Sequence, residues 1–312
     1  MGKIEAVRHN VREMVKTTGR RRIAPGLAQG GRAVLTRFAG AALRGFFVMV
    51  LIALPSVILP GVSADTRQMV TLVALFAGVL TVVEYNAVYP GLIEFRDAPP
   101  FNRIRYIMLL SMIVTLSVIC SDQGDVSSVT RLLQAISVVA GEAMDFPYSP
   151  TRLLVLMVYD GATAGEVGLV RATAGMAYLI SLVGMAFFVV ILKLVGWPSR
   201  SQAFNVWVNL PTFDPTSGGD VVDQLDRDAR VNITLGFLLP FVVPTIIKLA
   251  SGGFEPLMLA SAQTMIWTII AWAFLPASLL MRGIAMGRIA DMIRQKRRQN
   301  GTDIAAAMAA VV

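Results

Sequence analysis

Cysteine and histidine occur once each, as Cys120 and His9, and charge is scarce, with Lys, Arg, Asp and Glu making up 15% of 312 residues. A single cysteine excludes an intramolecular disulfide and a thiolate metal cluster. One histidine, placed in a basic N-terminal stretch, supplies no ligand set for haem, copper or a pigment. No cofactor and no metal are therefore expected. The commonest general base is missing too, and no serine-nucleophile, metalloprotease or nucleotide-binding pattern occurs. The expectation is a protein that is not an enzyme. Soluble domains carry about 25% charged residues; the shortfall here is what lipid demands, because a charge at bilayer depth is costly.

What is present is apolar. Hydrophobic residues make up 55% of the chain and the mean hydropathy is +0.65. They gather in six stretches, roughly 45–62, 69–89, 106–120, 172–195, 233–250 and 257–281. Each approaches the roughly 20 residues that cross about 30 Å of hydrocarbon, and within one span only a helix satisfies its own backbone groups. The fold class expected is all-α, a polytopic membrane bundle of about six spans.

The net charge of +8 is placed for topology. With the N-terminus inside and six alternating spans, 23 of the 28 Lys and Arg residues fall on the cytoplasmic side, as the positive-inside pattern requires. Arg67, Arg131, Arg152, Arg171 and Lys248 are left on the other side. Both termini are thus expected in the cytoplasm of a bacterium, with the protein in its inner (cytoplasmic) membrane. The chain divides into a basic segment 1–44, a membrane domain 45–281 and a basic helix with a small-residue tail, 282–312. The membrane domain contains an outer segment, 121–171, and cytoplasmic loops 91–105 and 197–231. Apolar residues Ile4, Val7, Val11 and Met14, and later Ala285, Ile289, Met292 and Ile293, recur at helical spacing beside arginines. That pattern predicts amphipathic surface helices at both ends. Arg20, Arg21, Arg22, Arg294, Lys296, Arg297 and Arg298 are the residues expected to meet anionic lipid. No aromatic residues interleave with them to stack bases, so nucleic acid is not an expected partner.

Three groups are candidates for more than spanning. The first lies at the inner end of span two and in the loop GLIEFRDAPPFNRIR: Glu84, Tyr85, Asn86, Glu94, Arg96, Asp97, Asn102, Arg103 and Arg105. Glu84 falls inside the apparent membrane edge, so it either binds a cation or proton, pairs with a loop arginine, or reaches the interface within a structural ion network. The second is an outer set, Asp160, Glu166 and Arg171. Beside it Gly161, Gly165, Gly168, Ala172 and Gly175, three or four residues apart, predict a face for close helix packing. The third is proline: Pro55, Pro60, Pro240, Pro244 and Pro276 interrupt spans, and each removes a backbone donor. Two elements are read more generally. Residues 129–144 form an amphipathic stretch, and the short run Leu153–Tyr159 cannot span, so it is interfacial, re-entrant or buried. Asp220, Asp223, Asp226 and Asp228 lack calcium-loop spacing and suit the first turn of a helix.

These features lead to an expected role as a non-enzymatic membrane component that organises, assembles or regulates other membrane proteins, with partners among them or through self-association. The alternative is a transporter or channel for a small solute or lipid.

Overall fold

The computed structural model describes residues 26–121, 127–158, 161–198, 209–211, 213, 219–250 and 261–309. His9, the N-terminal helical pattern, Arg20, Arg21, Arg22 and Asp160 lie outside them. Among the described residues there are eight helices and no strand. We number them α1 (Gly26–Ile58), α2 (Ala64–Asn86), α3 (Phe101–Ile119), α4 (Ser128–Met144), α5 (Pro150–Val155), α6 (Ala164–Leu194), α7 (Val221–Ala250) and α8 (Ala262–Ala309). Six of them, all but α4 and α5, are long and apolar enough to cross a membrane.

Helix starts follow local chemistry. Ser63, Ser127, Ser149 and Thr163 each cap a helix by accepting a backbone N–H from the first turn, satisfying a donor that has no partner within the helix. At Thr163 the cap is reciprocal, because Glu166 reaches back to the Thr163 N–H at 2.7 Å. This capping box starts α6 at Ala164, eight residues before the hydropathy block begins. Asp220 accepts the Val222 N–H at 2.9 Å, so the acidic turn does open a helix.

The core is built from α3, α6, α7 and α8, with α7 and α8 sharing the most extensive contact. Phe101, Met112, Ile113, Leu116, Phe188, Leu192, Ile266 and Ile269 are fully enclosed there. The α1–α2 hairpin packs on α3 through α1, and among the described helices α2 touches α1 alone. At the other end, α4 lies against α6 and α3, and α5 wedges between α6 and α7. Leu154, Val155 and Val158 of the short apolar run are buried against the bundle, while Leu156 faces outward.

One expectation needs correction. The C-terminal basic segment is not a separate surface helix. The helix of span six continues without a break through Arg282 to Ala309, 48 residues or about 70 Å at 1.5 Å per residue. Its stripe of Ala285, Met286, Ile289 and Ala290 is fully buried against protein. Gly283 permits this, since a Cβ there would lie 2.7 Å from the Ala229 carbonyl oxygen of α7. Of the stripe expected to seek lipid, Ala285 and Ile289 are thus in the core of a helix pair, while Met292 and Ile293 are half-buried at its edge. The division at residue 281 falls within one continuous element.

Residues 129–144 form α4, an amphipathic helix as expected, and its buried side is made of small residues, Ser137, Ala140 and Gly141. Its apolar stripe Val129, Leu132, Ile136 and Val139 faces outward, between 44% and 66% exposed.

Candidate functional site

The loop between α2 and α3 brings the polar residues of the first cluster to one end of the bundle. Glu84 accepts the backbone N–H groups of Gly91, Leu92 and Ile93 at 3.0, 2.9 and 3.4 Å. A carboxylate so engaged acts as a clamp on the turn, which favours the structural reading of this residue. The loop arginine nearest Glu84 does not pair with its carboxylate. Arg96 instead donates to the backbone carbonyls of Glu84 and Ala87, at 3.0 and 2.7 Å, taking up acceptors left over at the end of α2. Asn86 closes on its own helix, to the Val82 carbonyl. Asn102 donates to the carbonyls of Glu94 and Phe95.

Glu94 makes a long-range ion pair. It accepts two bonds from Arg282 of α8, at 2.6 and 2.8 Å. Both side chains are largely shielded, 13% and 23% exposed, where charge-assisted bidentate contacts are strongest. Asn209 ties the same loop from a third direction: its carbonyl accepts the Phe95 N–H and its side chain the Asp97 N–H. Phe95 takes a left-handed backbone conformation, φ +52°, and is held there by packing on Phe101 and Trp197. Arg105 lies over the rings of Phe101 and Phe274, a cation–π arrangement, and its buried Nε has no hydrogen-bond partner. Arg103 is exposed. Tyr85 lies under the Arg44 guanidinium, 4.7 Å from its ring centre.

The outer set separates. Glu166 belongs to the capping box, while Arg171 pairs with Asp145 at 2.8 Å, and Arg152 joins the same carboxylate at 3.1 Å. The small-residue face divides as well. Ala172 and Gly175 form a close contact with α4, where a Cβ on Gly175 would meet Gly141 Cα at 2.5 Å. Gly168 has nothing within 4 Å of a Cβ, Gly165 only its own cap, and Gly161 precedes the helix.

The basic C-terminal residues divide similarly. Arg294 pairs with Asp226 and Asp291, and Arg297 with Asp220 at 2.7 Å; Lys296 and Arg298 are exposed. The Arg297 guanidinium, then the Val222 N–H, hold the Asp220 carboxyl below its usual range.

The prolines have a specific consequence. Pro244 cannot donate to the carbonyl of Pro240, four residues earlier. That oxygen instead accepts the Trp272 indole N–H from α8 at 3.0 Å. An apolar crevice of about 350 Å³ opens nearby, with Leu154, Met157, Val243 and Leu275 on its walls.

Reading from sequence missed Arg282, Asn209, Asp145 and Gly141, each a partner remote in the chain. Only Gly141, a glycine inside an apolar helical pattern, carried a local signal. Among the described residues no group of three or more His, Cys, Asp or Glu side chains could hold a metal ion. Comparison with known proteins finds no family model, no curated protein and no solved structure that matches this chain.

Proposed function

We propose that the chain is a non-enzymatic, multi-pass protein of a bacterial cytoplasmic membrane, with both ends inside, that associates with and organises other membrane proteins. Its apolar surface supports insertion, since Leu72, Phe76, Val79 and Val83 on α2 and the outward stripe of α4 are all exposed. Surfaces of that extent are unfavourable in water. The observation that carries the assembly reading is the position of α2. Among the described helices it packs on α1 alone, and its opposite flank presents exposed apolar residues that suit a helix of another chain.

The transporter or channel reading has less support. Glu84, Glu94 and the carbonyl released by Pro244 are engaged by groups of the same chain, which favours structural roles for the polar groups that suggested a pathway.

Photo-crosslinking in native membranes tests the assembly reading. Benzoylphenylalanine at Phe76 or Val79 should give a discrete protein adduct, and at Met112, fully enclosed in the core, it should give none. The adduct partner should also co-purify after mild detergent extraction. Lipid adducts alone, together with recovery as a lone monomer, would remove the proposal.

A further inference from the structure

Three arginines from two separate stretches of chain converge on one cavity at the foot of the α1–α2 hairpin. The cavity measures about 410 Å³. Arg37 and Arg44 enter it from α1, two helical turns apart and therefore on one side of the helix. Gly40 and Ala41 lie between them on the same wall and leave the space open because neither has bulk beyond a methyl group. Arg96 closes it from the loop. Its side chain is 4% exposed and is fixed by the two carbonyls at the end of α2. Arg44 is oriented by the Tyr85 ring and by the Gly40 carbonyl at 2.8 Å, and Arg37 reaches the Ala87 carbonyl at 3.5 Å.

Asp97, 3.5 Å from Arg96, is the one carboxylate among the lining residues. Three guanidinium groups against one carboxylate leave an excess of two positive charges around a preformed space. Like charges held together in this way repel, and an anion relieves the repulsion. Guanidinium forks match the oxygens of a phosphate two at a time, and the Tyr85 hydroxyl adds a further donor.

We propose that this cavity binds a phosphate group, either of an anionic phospholipid head group or of free phosphate. The lipid source rests on the membrane reading above; the free-ion source does not. The site is distinct from the ion pairs of Arg282, Arg294 and Arg297, whose charges are met by carboxylates of the chain itself.

The test uses the full-length protein in neutral detergent, titrated at constant ionic strength with phosphatidylglycerol and, separately, with inorganic phosphate. Retained lipid is counted by native mass spectrometry and phosphate binding by thermal shift. Saturable binding is expected, weakened roughly tenfold or more by Arg37→Gln with Arg44→Gln, as loss of charge-assisted bonds implies. Asp97→Asn should tighten it, a gain that misfolding cannot imitate. Binding of the lipid without the free ion assigns a head-group site, and binding of both assigns phosphate itself. Free phosphate bound by a chain that fractionates as a soluble protein would retain the site and remove the membrane reading. Binding of neither probe to membrane-integrated protein, or binding indifferent to both variants, overturns the site.

Discussion

Pro244 leaves the Pro240 carbonyl without its helical donor, and the Trp272 indole N–H fills the vacancy from the neighbouring helix. An unpaired carbonyl inside a bundle costs about 1–3 kcal/mol. Trp272→Phe, which keeps an aromatic ring but removes the N–H and part of the indole, should therefore lower stability by about 1–2 kcal/mol or more in detergent unfolding. In a Pro244→Ala background the helical donor returns, and the same change should cost less. Equal costs in the two backgrounds would show that the indole acts only by packing. Glu94 and Arg282 make a second residue-scale case. Arg282→Ala leaves a largely shielded carboxylate without its guanidinium and should cost about 2–4 kcal/mol. Glu94→Gln together with Arg282→Ala should cost less than the single change in detergent unfolding, because the carboxylate that faced the lost guanidinium is then neutral. Asp220 predicts a pH dependence. Its carboxyl titrates below the usual range because of Arg297, so the stability it adds is complete above about pH 4. That stability is lost only as pH falls through the depressed value. Asp220→Asn should flatten this acid limb by lowering the melting temperature across the neutral range, and it should leave the acid end of the profile unchanged.

At the scale of elements, glycines decide which helices meet closely. Gly45 of α1 and Gly78 of α2 face each other, where a Cβ on Gly45 would lie 2.7 Å from the Gly78 carbonyl. Gly141 and Gly175 do the same for α4 and α6. Without a hydrophobic drive between helices in lipid, such close approach is a main source of association. Gly175→Val should thus cost about 2–3 kcal/mol through overpacking and loosen α4, as read by proteolysis between α4 and α6. Gly168→Ala should be neutral or stabilising by about 0.5 kcal/mol, because that position is open and alanine favours helix. The spacing of Gly161, Gly165, Gly168, Ala172 and Gly175 was visible in the sequence. Which half of it packs was not, because that depends on where Gly141 comes to rest. In the same way the pattern Ala285, Ile289, Met292, Ile293 announced a one-sided helix but could not say whether lipid or α7 would cover it.

For the whole molecule, the proposed orientation places both ends of the chain on one side. Reporter fusions at Arg32 and Arg298 should give the same signal, and fusions at Gly61 and Gly161 the opposite one. A split result between Arg32 and Arg298 would mean an odd number of crossings. The number of long apolar helices follows from the sequence alone, because hydropathy and length are properties of consecutive residues and six stretches satisfy both. The scarcity of charge and the lone histidine are likewise complete statements without coordinates. The tertiary structure decided the partners. Glu94 meets Arg282 across 188 positions, the Pro240 carbonyl meets Trp272, and Arg37 and Arg44 come to share a cavity with Arg96. Helical periodicity says which side of a helix a residue occupies; the packing of one helix on another decides what that side touches.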